Sequence, residues 1–266
     1  MRVTLIILTL IGLGFLLMVG YLYLNQRNLL YYPQPLDRAW EHIQENAAFE
    51  YTVERDGFVL KGWLINPDQD RLFVYYGGNA EEASLSIESY ARSSGVAVLL
   101  MNYRGYGESE GKSTERDLVK DAIVILNGLK DRYTDITLIG RSLGSGVAVQ
   151  VACEVSVTRL VLVTPYDSIR AVAQDLYPFA PVSWLLKDPF DSLSASERVD
   201  VPALFLVAEE DRVIPMKHSK RLFENWKGDR EWVEVPGTDH NSISYDPVYW
   251  KSMSAFIDST LARKSP

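Results

Sequence analysis

Five short runs of the chain, 72–76, 96–101, 136–139, 160–163 and 203–207, are apolar almost throughout and do not alternate with polar residues. Runs of that length read as strands, and a strand apolar on both sides must be covered on both sides. Stretches of helical character separate them, starting near residues 80, 113 and 142 and continuing at 216–226 and 246–262, with a last strand at 232–235. Strands and helices in alternation predict an α/β fold, a mostly parallel sheet with helices on both faces. Its leading edge is expected to be antiparallel. Phe49, Tyr51 and Val53 alternate with polar residues, Asp56-Gly57 supplies a turn, and 58–65 forms the return strand. Between 163 and 203 the rhythm stops. That interval carries Pro165, Pro178, Pro181 and Pro189 with Tyr177, Phe179 and Trp184, and is too long for an ordinary connection. Residues 165–200 are expected to form a short cap over the sheet's C-terminal edge. No internal repeat or low-complexity tract interrupts the pattern.

The first 30 residues follow other rules. Residues 4–24 carry no charge, and 21 residues at about 1.5 Å each match a hydrocarbon core of about 30 Å. Tyr21 and Tyr23 fall where interfacial rings gather, with Arg2 and Arg27 flanking the span. A cleaved signal peptide is the rival reading, but such signals have a shorter apolar core and a small-residue cleavage site, which Gly20-Tyr21-Leu22-Tyr23-Leu24 does not offer. The expected organisation is a transmembrane anchor over 1–27, a connector over 28–48 and a catalytic domain over 49–266. Flanking charges are nearly balanced, and the expected orientation is a cytosolic N-terminus with the domain on the non-cytoplasmic side.

A net charge of −8 argues against a surface that tracks phosphate backbones, so nucleic acid is not expected as a partner. The single cysteine, Cys153, precludes an intrachain disulfide and a cysteine-rich metal site. Its apolar neighbours make it a packed small hydrophobe.

Gly140-Arg141-Ser142-Leu143-Gly144 fits the pattern G-x-S-x-G, which chance supplies in roughly one chain in ten of this length at average residue usage. Context strengthens it. An apolar strand precedes the motif and a small-residue helix follows, the strand–turn–helix that exposes a nucleophilic serine. Gly140, Gly144 and Gly146 also fit a dinucleotide-phosphate spacing, but that reading requires the first parallel strand and a downstream Tyr-x-x-x-Lys, and neither is present. A serine hydroxyl needs an imidazole to take its proton and a carboxylate to orient the imidazole. Of three histidines, His42 precedes the first strand and His218 sits among Lys217, Lys220 and Arg221, as surface or packing residues do. His240 follows the last strand at the edge where α/β sites form, and is the candidate base. Glu209, Glu210 and Asp211 follow the strand 203–207. Asp211 is the chosen acid and Asp239 the runner-up, since adjacency to His240 makes its geometry awkward. Oxyanion donors are expected from the N–H groups of Leu143 and of Asn79 in the Gly77-Gly78-Asn79-Ala80 turn. The turn Tyr103-Arg104-Gly105-Tyr106-Gly107 is read as architectural.

Taken as a set, Leu29-Leu30-Tyr31-Tyr32-Pro33, Gly78-Asn79-Ala80, Tyr103-Arg104-Gly105-Tyr106-Gly107, Gly140-Arg141-Ser142-Leu143-Gly144, Asp211-Arg212-Val213-Ile214-Pro215 and His240 resemble the α/β-hydrolase superfamily. Within it they resemble the Bem46-like and ABHD13/ABHD17-like branch of serine hydrolases. The resemblance implies the α/β-hydrolase fold, a Ser142–His240–Asp211 triad, and ester, thioester or amide substrates handled without metal or organic cofactor. Two departures stand out: Gly77 where the family usually has histidine, and Ala208 where it usually has glycine. Expected partners are a lipid-like or small acyl substrate and the bilayer, with no obligatory protein partner. A serine peptidase and a non-catalytic, membrane-tethered binding protein are the alternatives.

Overall fold

A computed structural model describes residues 2–37, 48–91, 93 and 95–262. His42 and positions 38–47 of the expected connector lie outside the described residues. The N-terminal segment is one helix, α1 (Arg2–Leu30), with no buried residue.

The rest builds an eight-stranded sheet. Its strands are β1 (Ala48–Arg55), β2 (Phe58–Ile65), β3 (Arg71–Tyr76), β4 (Ala97–Met101), β5 (Asp135–Arg141), β6 (Arg159–Val163), β7 (Ala203–Ala208) and β8 (Arg230–Val235), in the spatial order β1-β2-β4-β3-β5-β6-β7-β8. β1 and β2 form an antiparallel hairpin, and β2 runs antiparallel to β4. All other pairings are parallel. The hairpin turns at Asp56 (φ 51°) and Gly57 (φ 77°), two left-handed residues whose twist matches that of the flanking strands. The two-sided apolar runs serve two cores. Leu72, Val74, Leu160 and Leu162 point to one, with α3 (Glu115–Leu129), α4 (Leu143–Ala152) and α8 (Met216–Asn225) packed over it. Phe73, Tyr75, Val161 and Val163 point to the other, under α2 (Ile87–Ala91) and α9 (Pro247–Ala262).

The stretch after residue 80 is less helical than its sequence predicts. Asn102 Oδ1 accepts from the Ala83 N–H at 2.8 Å, and the Glu82 carboxylate accepts from the Ser84 N–H at 3.1 Å. These side-chain acceptors shape the backbone into a 3-10 turn (Ala83–Ser86) before the short α2. The interval after β6 folds into three small helices, α5 (Ile169–Leu176), α6 (Val182–Leu185) and α7 (Ser192–Ser196). From β3 the chain moves to β4 on one side and then crosses to β5 on the other, so the loops leaving β3 and β5 face each other at a topological switch point.

Candidate active site

Ser142 sits between β5 and α4 with φ 50° and ψ −117°, a strained conformation for a residue with a side chain. Two interactions hold it there: its N–H donates to the Val163 carbonyl at 2.9 Å, and the Ser145 hydroxyl donates to its carbonyl at 2.7 Å. The flanking glycine is required by contact. A Cβ at Gly144 would collide with the carbonyl oxygens of Tyr76 and Gly77, so only glycine lets α4 start against the end of β3.

Across the switch point, the structure brings together the three side chains singled out from sequence. His240 Nε2 lies 2.9 Å from Ser142 Oγ, and His240 Nδ1 lies 2.8 Å from Asp211 Oδ2. Ser142 and His240 are both buried. Asp211 is fixed from its other oxygen, where Oδ1 accepts from the N–H groups of Val213 and Ile214, each at 2.8 Å. A carboxylate tied down in this way can hold one tautomer of the ring, leaving Nε2 free to take a proton from a hydroxyl. The runner-up Asp239 is turned away. Its carboxylate accepts from the Ser242 and Asn241 N–H groups, each at 2.9 Å, which hold its pKa below the usual carboxylate range. Glu209 accepts from the Gly237 N–H at the surface.

Asn79 and Leu143 line the same cavity as Ser142. Among the described residues, neither N–H has a hydrogen-bond acceptor. The turn carrying Asn79 is gripped from the 103–107 loop: the Tyr103 hydroxyl donates to the Gly77 carbonyl at 2.8 Å and the Tyr106 hydroxyl to the Asn79 carbonyl at 2.5 Å. Burial pushes both phenols above their ordinary range and keeps them as neutral donors. The 103–107 loop therefore pins the peptide units on either side of the one that carries the Asn79 N–H.

One network escaped sequence reasoning. Arg141, the variable residue before Ser142, pairs with Glu81 at 2.8 Å and donates to the His240 carbonyl at 3.1 Å. Glu81 in turn accepts from the Gly78 N–H at 2.8 Å. A single ion pair thus links the turn after β3, the serine turn and the histidine loop. The usable signal was a glutamate three residues after a glycine turn, with an arginine inside the motif. Gly77, standing where the family usually has histidine, faces the Glu81 side chain. His218 is buried, with Nδ1 2.9 Å from Asp167 and Nε2 2.8 Å from Asp175, a packing role in place of a surface one. Cys153 is half-buried against the core, as its neighbours predict.

The cavity over Ser142 has a volume of about 260 Å³ and is mostly apolar, with Ile169, Val172, Leu176 and Val182 on its cap side.

A parallel sheet with an antiparallel leading pair, a serine turn at its switch point and a helical excursion after β6 defines a hydrolase of the α/β class. Residues 74–198 match the model of the alpha/beta hydrolase family. An uncharacterized protein of Mycobacterium tuberculosis, MT2364, is 31% identical over 84% of this chain and 83% of its own length. The uncharacterized membrane protein YNL320W of Saccharomyces cerevisiae is 27% identical over 88% of this chain and 89% of its own. Human alpha/beta hydrolase domain-containing protein 17B is 26% identical over 83% of this chain and 82% of its own. Among solved structures, the Pyrococcus furiosus esterase Pf2001 superposes with a TM-score of 0.72 at 19% identity, covering 87% of this chain and 97% of that one, which shows the shared fold. The chain belongs to the alpha/beta hydrolase family, on its ABHD-like branch.

Proposed function

We propose that this protein is a membrane-anchored serine hydrolase that cleaves carboxylic ester or thioester bonds through an acyl-enzyme. The observation that carries the proposal is the unbroken relay from Ser142 Oγ through His240 to Asp211, at 2.9 and 2.8 Å, opening on an apolar cavity. His240 Nε2 takes the hydroxyl proton as Ser142 Oγ attacks the acyl carbon. The N–H groups of Leu143 and Asn79 receive the developing oxyanion, and Asp211 steadies the imidazolium. When the tetrahedral intermediate collapses, the carbonyl re-forms, the bond to the leaving alcohol or thiol breaks, and His240 returns its proton to that group. Water then repeats the sequence in the opposite sense, releasing the acid and free Ser142. The residues at the site supply each of these roles without calling on a cofactor.

Helix α1 is long and apolar enough to cross a membrane, and the yeast relative is named a membrane protein. Both support a single-pass anchor over 1–27. In this reading the domain 49–266, with its 165–200 cap, lies on the non-cytoplasmic side. Kinetics with p-nitrophenyl butyrate test the chemistry. Purified protein should turn over the ester, with the rate falling about 10³-fold or more in Ser142→Ala. Activity that survives the substitution would overturn the proposal, and a folded protein with no turnover would favour the binding-protein alternative.

A further inference from the structure

Helix α1 is part of the cavity as well as a tether. Val19, Leu22, Tyr23, Gln26, Leu29 and Leu30 line the same space as Ser142, facing Val172, Leu176 and Leu185 of the cap. Polar ties fix the helix in place. Gln26 Nε2 donates to the Leu185 carbonyl at 3.2 Å, the Lys187 N–H donates to Gln26 Oε1 at 2.6 Å, and Arg27 Nε pairs with the buried Asp188 at 2.7 Å. At the helix end, Asn79 Nδ2 donates to the Leu30 carbonyl at 2.8 Å, joining α1 to the turn that offers the oxyanion donor.

The depth of the cavity comes from helix geometry. The uncharged run ends at Leu24, so at 1.5 Å per residue Val19 lies about 8 Å inside that boundary and Leu30 about 9 Å beyond it. With α1 crossing the bilayer as proposed above, one end of the cavity lies at acyl-chain depth, while the other reaches Ser142. At the boundary the Lys187 ammonium stands 4.3 Å from the Tyr23 ring centroid, an aromatic–cation pair of the kind that settles at a membrane surface. Beside this mouth the cap leaves Leu176, Phe179 and Trp184 exposed, Trp184 at 89%. An indole left bare next to a membrane helix suits the headgroup level better than open water. At about 260 Å³ the space lies near the lower end of the range for ligand sites, about 300–1,000 Å³.

We propose that α1 forms one wall of the acyl site, and that the substrate is a lipophilic acyl ester or thioester reaching Ser142 sideways from the leaflet, between α1 and the cap. Its chain lies along Val19 and Leu22, with the carbonyl at Ser142. This rests on Ser142 being the acyl-accepting nucleophile.

The test uses the full chain reconstituted in phosphatidylcholine vesicles and two substrates, p-nitrophenyl acetate from water and 4-methylumbelliferyl palmitate dissolved in the bilayer. Leu22→Trp and Val19→Trp narrow the helix wall, and Leu176→Trp narrows the cap wall; none of the three side chains is buried, so the fold is not at stake. Each should lower the ratio of palmitate to acetate turnover by about tenfold or more. Leu5→Trp, on the same helix outside the cavity, should leave both rates unchanged. An unaltered ratio in the three cavity variants would overturn the proposal, as would an equal fall in Leu5→Trp. Native protein that cleaves acetate but not palmitate would sink the leaflet route alone. If it cleaves neither and takes no fluorophosphonate at Ser142, the serine-hydrolase reading itself fails.

Discussion

His240 and His218 begin alike and end differently. Each sets Nδ1 against an aspartate, Asp211 at 2.8 Å and Asp167 at 2.9 Å. The partner at Nε2 separates them. For His240 the next atom is the Ser142 hydroxyl at the cavity, whereas for His218 it is a second carboxylate, Asp175, on α5 of the cap. A ring facing a hydroxyl retains a nitrogen that can accept. A ring set between two carboxylates faces no hydroxyl from which to take a proton. Asp167 also pairs with Arg221 at 2.9 Å, and Asp175 with Lys217, so the second cluster is saturated and acts as a strut between α8 and the cap. An imidazole–carboxylate pair is therefore no mark of catalysis on its own; the third partner decides.

Substitutions at matched positions would sharpen or break that contrast. His240→Gln should cost about 10⁴-fold in kcat with little change in melting temperature, measured on a soluble butyrate ester alongside thermal unfolding. Asp211→Asn should rank next at about 10³-fold or more, because the ring loses the acceptor that fixes its tautomer; Asp167→Asn should leave kcat within a few-fold. Arg141→Met removes the link among the turn after β3, the serine turn and the His240 carbonyl, and is expected to lower kcat by about tenfold with KM less affected, since it alters positioning and not binding. His218→Gln should reverse the His240 pattern, costing about 1–3 kcal/mol of stability because it removes a buried hydrogen-bond partner of the Asp167 carboxylate. If it also abolished turnover, the distinction between strut and base would fall. Asp239→Asn, at an exposed carboxylate bonded only to the local N–H groups of Asn241 and Ser242 and the Ser242 hydroxyl, should change kcat by less than about twofold, within the range of an ordinary surface substitution.

The same contrast shows what the sequence could reveal. His240 and Asp211 were legible because they come after apolar strands at the edge of an α/β sheet, where position alone carries meaning. The environment of His218 was not, because its partners lie 51 and 43 residues away and the nearby Lys217, Lys220 and Arg221 suggested a surface. Glu81–Arg141 was hidden for the same reason, a pair 60 residues apart. The strands themselves were plain, since a run apolar on both faces has few other homes. The helix expected after residue 80 was curtailed by Asn102 and Glu82, side-chain acceptors that no periodicity records. Helix α1 was recognisable as a helix long and apolar enough to cross a membrane. Its share in the cavity was not, because a residue facing lipid and one facing an acyl site carry the same apolar signature.

The most direct measurement of the central claim is labelling of the intact, detergent-solubilised chain with a fluorophosphonate, combined with mapping of the adduct by mass spectrometry. One phosphonyl group on Ser142, lost in Ser142→Ala and strongly slowed in His240→Gln while His218→Gln still reacts, is the predicted result. A folded chain that takes no label at Ser142, or one whose labelling is indifferent to His240, would contradict it.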